Sequence, residues 1–243
     1  MIEWSRDCSS IMTNNPFHRP IDAKDELMVV LNPKANKFLI DGNVGPIEVQ
    51  IDMPKLSDSA SPARGLAIVA HPHPLMGGTM DNKVAQTLAK TLSGLGYVAV
   101  RFNFRGVGQS AGVHDEGNGE VDDTLKVIDW ARQTYATNDA LVLAGFSFGT
   151  LVQSRVALRL QAQGEKIERM VFVGTAAGKW AVESVPSDTI VIHGELDDVI
   201  TLNDVFRWAE PQELPVTVVA GADHFFHRRL HVIRGIIERQ WTV

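Results

Sequence analysis

Short apolar runs alternate with segments of helical periodicity from about residue 66 onward, and this alternation constrains the fold more than any other feature. The run at 66–70 is apolar throughout, as expected of a strand buried on both faces of a sheet. The same pattern predicts strands at 97–102, 141–146, 170–173, 189–192 and 216–219. Helical stripes are formed by Val84, Leu88, Leu92 and Leu95, by Val121, Leu125, Ile128 and Tyr135, by 150–163, and by Leu230, Ile233, Ile237 and Trp241. We therefore predict an α/β fold with a mostly parallel, twisted sheet and helices on both faces.

The N-terminal part of the chain has a different pattern. Residues 27–53 are strand-like, and apolar and polar residues alternate at 47–52 after a turn at 41–43. This predicts an antiparallel hairpin at the edge of the sheet, with one face in solvent. Residues 55–64 are predicted to be a loop. Residues 1–26 have no clear periodicity, and we interpret them as an extension that precedes a single domain at 27–243.

Composition excludes several classes of protein. The chain has 243 residues and a net charge of −6, so it lacks the basic surface of a nucleic-acid-binding protein. No apolar run approaches the roughly 18 residues of a membrane span, and the N-terminal residues do not resemble a secretory signal. The single cysteine, Cys8, cannot form an intramolecular disulfide. We expect a cytoplasmic protein with no membrane and no nucleic-acid partner.

A serine flanked by two glycines lies between a predicted strand and a predicted helix. The segment is Gly145-Phe146-Ser147-Phe148-Gly149, and it has the G-x-S-x-G pattern of a nucleophile elbow. In such a turn the glycines let strand and helix pass closely, while the serine takes a strained conformation. The serine oxygen then lies at the end of the sheet, beside a helix N-terminus that favours developing negative charge. Ser147 is therefore a candidate nucleophile.

A serine nucleophile needs a base, which is usually histidine, and a carboxylate that orients the base. In a parallel sheet these groups meet only if each follows the carboxyl end of a strand. His224 follows the strand predicted at 216–219, and Asp197 follows the strand predicted at 189–192. Asp198 is the alternative acid, although we favour Asp197 and expect Asp198 to cap the helix that follows.

The order Ser147, Asp197, His224 and four sequence motifs resemble those of the α/β-hydrolase superfamily. The motifs are the elbow at 145–149, the H-G-x-x-D acid loop at 193–197, the histidine loop at 221–225, and a D-x-R-G-x-G-x-S turn in which Asn103 replaces the usual Asp. The sequence His71-Pro72-His73-Pro74 further resembles a small bacterial subgroup described as dienelactone-hydrolase-like or serine-aminopeptidase-like.

The resemblance implies an oxyanion hole and a substrate site. One donor would be the N–H of Phe148, and the other would come from the 71–74 segment. Proline has no N–H, so His73 is the candidate for the second donor. Substrate contacts are expected from His71, Leu75 and Met76. Only residues 174–188 separate two predicted strands where many relatives carry a cap, so we expect an open site without a sizeable cap domain.

These features favour a serine hydrolase that cleaves small acyl substrates as a carboxylesterase or thioesterase through an acyl-enzyme. A peptidase or amidase of the same fold remains an alternative, as does a non-catalytic binding protein. His71 and His73 have the spacing of a metal-binding pair, but no cysteine or carboxylate nearby completes a four-ligand zinc set. We therefore expect neither a metal nor another cofactor, and a small-molecule acyl compound as the substrate.

Overall fold

A computed structural model describes residues 29–32, 36–54, 62–135 and 137–241, with the backbone alone for 29–32. The predicted extension at 1–26 lies outside these residues. So does 55–61, which is most of the loop predicted at 55–64.

The described strands form one nine-stranded sheet with the order β1-β2-β3-β5-β4-β6-β7-β8-β9. The strands are β1 Val29–Asn32, β2 Lys37–Gly42, β3 Gly45–Asp52, β4 Ala63–Ala70, β5 Tyr97–Phe102, β6 Thr137–Phe146, β7 Arg169–Val173, β8 Ile190–Gly194 and β9 Val216–Val219. β2 is antiparallel to both of its neighbours, β1 and β3, and β3 is antiparallel to β5. All other neighbours are parallel. The mostly parallel sheet and the antiparallel hairpin are as predicted, although β1 rather than the hairpin forms this edge.

Helices cover both faces of the sheet. They are α1 Lys83–Gly94, α2 Asn118–Thr134, α3 Phe148–Ala162, α4 Leu202–Ala209 and α5 Leu230–Gln240. In β4, Leu66 and Ile68 contribute to the apolar core beneath α2 and α3, whereas Ala67 and Val69 contribute to the core beneath α1 and α5. Because both faces of β4 are buried from Leu66 to Ala70, this part of its sequence is continuously apolar rather than alternating.

The predicted element boundaries were less accurate than the predicted elements. β6 begins at Thr137, four residues before the predicted start at 141. The apolar pattern did not reveal these residues because most of them are polar and all are at least partly exposed. The hairpin turn lies at residues 43–44, since Asp41 and Gly42 still pair with β3. Thr201, whose side chain accepts a hydrogen bond from the N–H of Asp204, caps α4. The prediction that Asp198 caps this helix was therefore wrong.

The sheet carries no helical cap between β7 and β8. The connecting residues 174–189 are all described, and they contain turns and one isolated bridge between Ala177 and Trp180 but no helix. In the described part of the chain, no helix has the length and hydropathy needed to cross a bilayer.

Candidate active site

The predicted site residues follow the carboxyl ends of four different strands. His73 follows β4, Ser147 follows β6, Asp197 follows β8 and His224 follows β9. Along the chain, β4 is followed by β5, which pairs with one edge of β4, and then by β6, which pairs with the other edge. The chain therefore reverses its direction across the sheet between β4 and β6, where α/β sheets open a crevice for ligands.

Ser147 has the strained backbone expected of a nucleophile elbow. Its φ is 55° and its ψ is −124°, values that cost a non-glycine residue on the order of 1–3 kcal/mol. Hydrogen bonds hold it in place: its N–H donates to the carbonyl of Val173 at 3.0 Å, and its carbonyl accepts from the Thr150 hydroxyl at 2.7 Å. The Thr150 oxygen also accepts from the N–H of Ala176 at 2.9 Å, which ties the elbow to the β7–β8 connection.

Both glycines of the elbow are required by close backbone approach. A Cβ atom on Gly145 would lie 2.6 Å from the carbonyl oxygen of Gly149. A Cβ atom on Gly149 would lie 2.4 Å from the carbonyl oxygen of Ala70, at the end of β4. These contacts are with backbone atoms, which cannot rotate away, so any larger residue would push α3 off the sheet.

Replacing Gly149 with alanine is therefore expected to destabilise the protein by about 1–3 kcal/mol, the usual cost of overpacking. Gly94 is a matched control, because it lies in α1 and a Cβ atom there would meet nothing within 4 Å. Gly94→Ala is expected to be neutral or to stabilise by up to about 1 kcal/mol, since alanine loses less backbone entropy in a helix. Urea unfolding monitored by circular dichroism measures both changes. Equal effects of the two substitutions would contradict the close approach at Gly149.

Ser147, His224 and Asp197 form a chain of hydrogen bonds. Nε2 of His224 lies 3.0 Å from Oγ of Ser147, and Nδ1 lies 2.7 Å from Oδ2 of Asp197. The other carboxylate oxygen of Asp197 accepts from the N–H groups of Val199 at 3.0 Å and Ile200 at 2.8 Å. All three site residues are buried, and Ser147 exposes only 5% of its surface. Because a carboxylate accepts but cannot donate, the imidazole carries its proton on Nδ1 and leaves Nε2 free to accept the serine proton.

The imidazole of His224 is confined by its neighbours. The ring of Phe146 lies 5.0 Å away between centroids and the ring of Phe225 lies 5.1 Å away. A Cβ atom on Gly174, which has φ of 56°, would lie 3.3 Å from Cε1 of His224. The backbone of Gly174 thus approaches the ring edge and limits its movement.

His193, at the end of β8, contacts the same carboxylate as His224. His193 is fully buried, its Nε2 donates to the carbonyl of Ile200 at 3.0 Å, and Nε2 also lies 3.4 Å from Oδ2 of Asp197. Burial lowers the pKa of His193 and Asp197 opposes this shift, so the ring is neutral with its proton on Nε2. Nδ1 is buried and has no partner in the described part of the chain. The only feature of the sequence that could have indicated this contact is that His193 lies four residues before Asp197.

His73 lies beside the elbow, where it was predicted. Its ring packs against those of Phe148 at 4.8 Å, His114 at 4.7 Å and Trp180 at 5.5 Å. Its carbonyl accepts from the N–H of Gly78 at 3.0 Å, which folds the segment into a tight turn. Burial lowers the pKa of His73, with a further contribution from His114, so its ring is neutral near pH 7. Phe148 is the first residue of α3, and an N–H at that position has no partner within the helix.

The structure corrects the prediction that His71 contacts substrate. His71 is fully buried, its Nε2 accepts from the N–H of Phe104 at 3.0 Å, and its Nδ1 donates to the carbonyl of Pro72 at 2.6 Å. Both ring nitrogens are thus used inside the protein. His71 joins the loop after β4 to the loop after β5, whereas Leu75 and Met76 are exposed as a substrate contact requires.

The buried imidazole of His71 makes stability depend on pH. Burial lowers its pKa from 6.5 to about 3, so the unfolded chain binds a proton that the folded protein does not bind. The stabilisation is complete above the unfolded pKa and is lost as the pH falls. Between about pH 7 and about pH 4.5 this group should remove roughly 2–3 kcal/mol from the free energy of unfolding.

Urea unfolding of the wild type and of His71→Gln at these two pH values tests this expectation. Glutamine can donate and accept but does not titrate in this range, so the variant should lose less stability on acidification, by roughly 2–3 kcal/mol. His231→Gln is the control, because His231 is exposed on α5 and should leave the pH dependence unchanged. An equally steep loss in His71→Gln would contradict the expectation.

The loop after β5 explains why Asn103 stands where the related motif has Asp. Nδ2 of Asn103 donates to the carboxylate of Glu48 at 2.7 Å, and its Oδ1 accepts from the N–H of Met80 at 2.9 Å. A second carboxylate here would face Glu48 and be repelled. Arg105 in the same loop makes a bidentate ion pair with Asp123 of α2, with distances of 2.8 and 2.9 Å. This pair holds the loop against the helix.

Among the residues that the structure describes, no group of three or more His, Cys, Asp or Glu side chains has the arrangement of a metal site. His71 and His73 lie close in sequence, but the nitrogens of His71 are occupied by backbone groups. Nδ1 of His73 accepts from the N–H of Leu75 at 3.2 Å.

Comparison with known proteins identifies the family. The model of the X-Pro dipeptidyl-peptidase (S15) family matches residues 10–167, which is more than half of the chain and includes the elbow and the His71–Pro74 segment. The chain belongs to the S15 family. Ser147 lies within the part that matches, whereas Asp197 and His224 lie beyond it.

The S15 chain is also similar to solved α/β serine hydrolases. XC6422 from Xanthomonas campestris, described as an α/β serine hydrolase without lid, is 35% identical with a TM-score of 0.75, over 92% of this chain and 98% of that one. An α/β serine hydrolase homologue from Coxiella burnetii is 37% identical with a TM-score of 0.72, over 88% and 99%. The uncharacterized protein RP471 of Rickettsia prowazekii is 32% identical over 71% of this chain and 76% of its own length. The chain is thus a small α/β-hydrolase without a lid.

Proposed function

We propose that this protein is a serine hydrolase that cleaves small acyl esters or thioesters, with Ser147 as nucleophile, His224 as base and Asp197 as the orienting acid. The observation that carries the proposal is the hydrogen-bond chain from Asp197 through His224 to Ser147, with heavy-atom distances of 2.7 and 3.0 Å. A strained backbone at a buried serine does not stabilise the fold. In a nucleophile elbow the same conformation presents the serine oxygen to the substrate at the end of the sheet.

The proposed reaction has two steps, acylation of Ser147 and hydrolysis of the acyl-enzyme. Ser147 Oγ attacks the carbonyl carbon while its proton moves to Nε2 of His224, and this proton then moves to the oxygen or sulfur of the leaving group as its bond to carbon breaks. Water then attacks the acyl-enzyme, gives its proton to the same nitrogen, and releases the acid as the proton returns to Ser147. Asp197 stays ionised and stabilises the imidazolium in both steps.

Two backbone N–H groups are proposed to stabilise the oxyanion that forms in each step. Phe148 offers its N–H at the N-terminus of α3, where the helix dipole also favours negative charge. The backbone N–H of His73 is the second donor. The His73 ring packs against the ring of Phe148, which fixes this residue beside the elbow. The mechanism needs no metal and no cofactor.

The absence of a cap supports a small or protruding acyl group as substrate. The connection at 174–189 contains no helix, and its Trp180 packs at 5.7 Å against Phe148 and is half-buried. A site of this kind offers little surface to enclose a long substrate completely.

A peptidase of the same fold is the second candidate, because the family match favours it. The family's name describes substrates with an N-terminal X-Pro dipeptide, whose ammonium would lie on the acyl side of the scissile bond. A carboxylate near His73 would be needed to pair with it. Glu120 is the carboxylate beside His114, but it is buried and accepts from His114 Nδ1, from Asp115 N–H and from Gly117 N–H. This favours the ester or thioester substrate.

Two measurements test the proposed function. A fluorophosphonate probe is expected to label the wild type and to leave Ser147→Ala unlabelled. Turnover of matched acetyl and butyryl esters, thioesters and aminoacyl amides, including an X-Pro amide, should then show ester or thioester hydrolysis well above amide hydrolysis. Preference for the X-Pro amide would favour the peptidase, and no labelling with no turnover would favour a binding protein.

A further inference from the structure

The site is surrounded by exposed apolar side chains. In the described part of the chain, nine large apolar side chains are exposed, and five of these lie on loops at the carboxyl edge of the sheet. The five are Leu75, Met76, Val113, Leu196 and Phe225. Exposed apolar residues scattered singly need no explanation, but their concentration around one site indicates a binding surface.

Leu75 and Met76 lie on the oxyanion side of the site. They belong to the 3-10 turn Pro74–Met76 and expose 75% and 79% of their surface. The N–H of Leu75 donates to the ring of His73, which packs against Phe148. Residues 70–80 contain no Asp, Glu, Lys or Arg, so this loop offers apolar surface without competing charge. We call Leu75 and Met76 the turn-side pair.

Leu196 and Phe225 lie on the opposite side, next to the base. Leu196 precedes Asp197, and its N–H donates to the carbonyl of Ala222 in the histidine loop at 2.9 Å. Phe225 follows His224, and its ring packs against the His224 ring at 5.1 Å with nearly half of its surface exposed. We call Leu196 and Phe225 the histidine-side pair.

The chemistry of acyl transfer assigns a different half of the substrate to each pair. The leaving atom must lie within hydrogen-bond reach of Nε2 of His224 to receive its proton, so the alcohol extends past His224 toward the histidine-side pair. The carbonyl oxygen points to the N–H of Phe148, which leaves the acyl chain to extend over the turn beside His73.

We propose that the substrates are esters that are apolar on both sides of the scissile bond, with the acyl chain on the turn-side pair and the alcohol on the histidine-side pair. The inference rests on the proposed hydrolase function and gives its substrate class. Each added methylene that contacts one of the two pairs should raise kcat/KM by about two- to fourfold, until the substrate chain extends beyond that pair. The upper value corresponds to complete burial of the methylene, which an open site does not reach.

Two series of esters test the proposal. The first varies the acyl group from acetyl to hexanoyl with one alcohol, and the second varies the alcohol from methyl to hexyl with one acyl group. The variants are Leu75→Ser with Met76→Ser, and Leu196→Ser with Phe225→Ser. The matched controls are Leu158→Ser and Phe206→Ser, whose side chains expose 53% and 44% of their surface on α3 and α4.

The expected result is a selective loss. The turn-side variant should flatten the increase of kcat/KM with acyl length and leave the increase with alcohol length, and the histidine-side variant should do the reverse. Both controls should match the wild type in both series. Because Phe225 touches His224, Leu196→Ser alone repeats the second measurement without altering a ring that packs on the base.

Several outcomes would overturn the inference. In one, the wild type hydrolyses acetate and hexanoate esters at the same kcat/KM. In another, the turn-side and histidine-side variants flatten the increase of kcat/KM equally in both ester series, or the control variants have the same effects as these two variants. In each of these the short esters are still cleaved, so the hydrolase function survives. Failure of the wild type to cleave any ester or to react with a fluorophosphonate would overturn both proposals.

Discussion

Replacing Ser147 with alanine is expected to lower kcat/KM for an ester by about 10⁴–10⁶-fold, and His224→Ala should have a similar effect. Each change removes one end of the 3.0 Å hydrogen bond through which we propose that the proton leaves the serine. Because neither residue works without the other, the double variant should be only slightly less active than either single variant. Initial rates with an acetyl ester, at equal concentrations of folded protein, measure all three.

The chain offers matched controls for both positions. Ser154 lies on α3, the helix that follows the elbow, and is fully buried. Its hydroxyl donates to the carbonyl of Leu151 at 2.8 Å and accepts from the N–H of Glu183 at 3.1 Å. Ser154→Ala should cost about 1–3 kcal/mol of stability through the two lost hydrogen bonds and should leave kcat within about twofold. His231→Ala on the exposed face of α5 should change neither. If the losses of Ser147→Ala and His224→Ala multiplied in the double variant, the two residues would not act as a unit.

The fold could be predicted from the sequence largely because both faces of the parallel strands are buried. Continuous apolar runs such as 66–70 and 141–146 then mark strands, and helical stripes mark the connections between them. Polar ends of elements carry no such signal. The first residues of β6 are held by pairing with β4, in which Ala63 pairs with Thr137, rather than by apolar burial of their own.

The three proposed catalytic residues could be predicted because strand order alone brings their loops to one edge of the sheet. The roles of the buried histidines could not be predicted in this way. The contact between His193 and Asp197 depends on the conformation of the loop after β8, and the two ring nitrogens of His71 are occupied by a carbonyl and an N–H from two different loops. Histidine on an apolar run indicates burial, but its partners are set by tertiary packing.

Replacing Asp197 with asparagine is expected to lower kcat by about 10³–10⁴-fold with little change in the fold, because it would reverse the tautomer of His224. Oδ1 of Asp197 accepts from the N–H groups of Val199 and Ile200, and these two donors would keep the amide oxygen of asparagine in the same place. The amide nitrogen would then face His224 at the position of Oδ2. It would donate to Nδ1, so the imidazole proton would move to Nε2 and the ring could not accept the proton of Ser147.

The neighbouring carboxylate, Asp198, provides the control that separates the two candidate acids. Asp198 is exposed, whereas Asp197 is buried and lies 2.7 Å from the base. Asp198→Asn should therefore leave kcat within about twofold, because an exposed charge is screened by water. Thermal unfolding of both variants would show whether each remains folded. A large loss in Asp198→Asn, or less than a tenfold loss in Asp197→Asn, would transfer the orienting role away from Asp197.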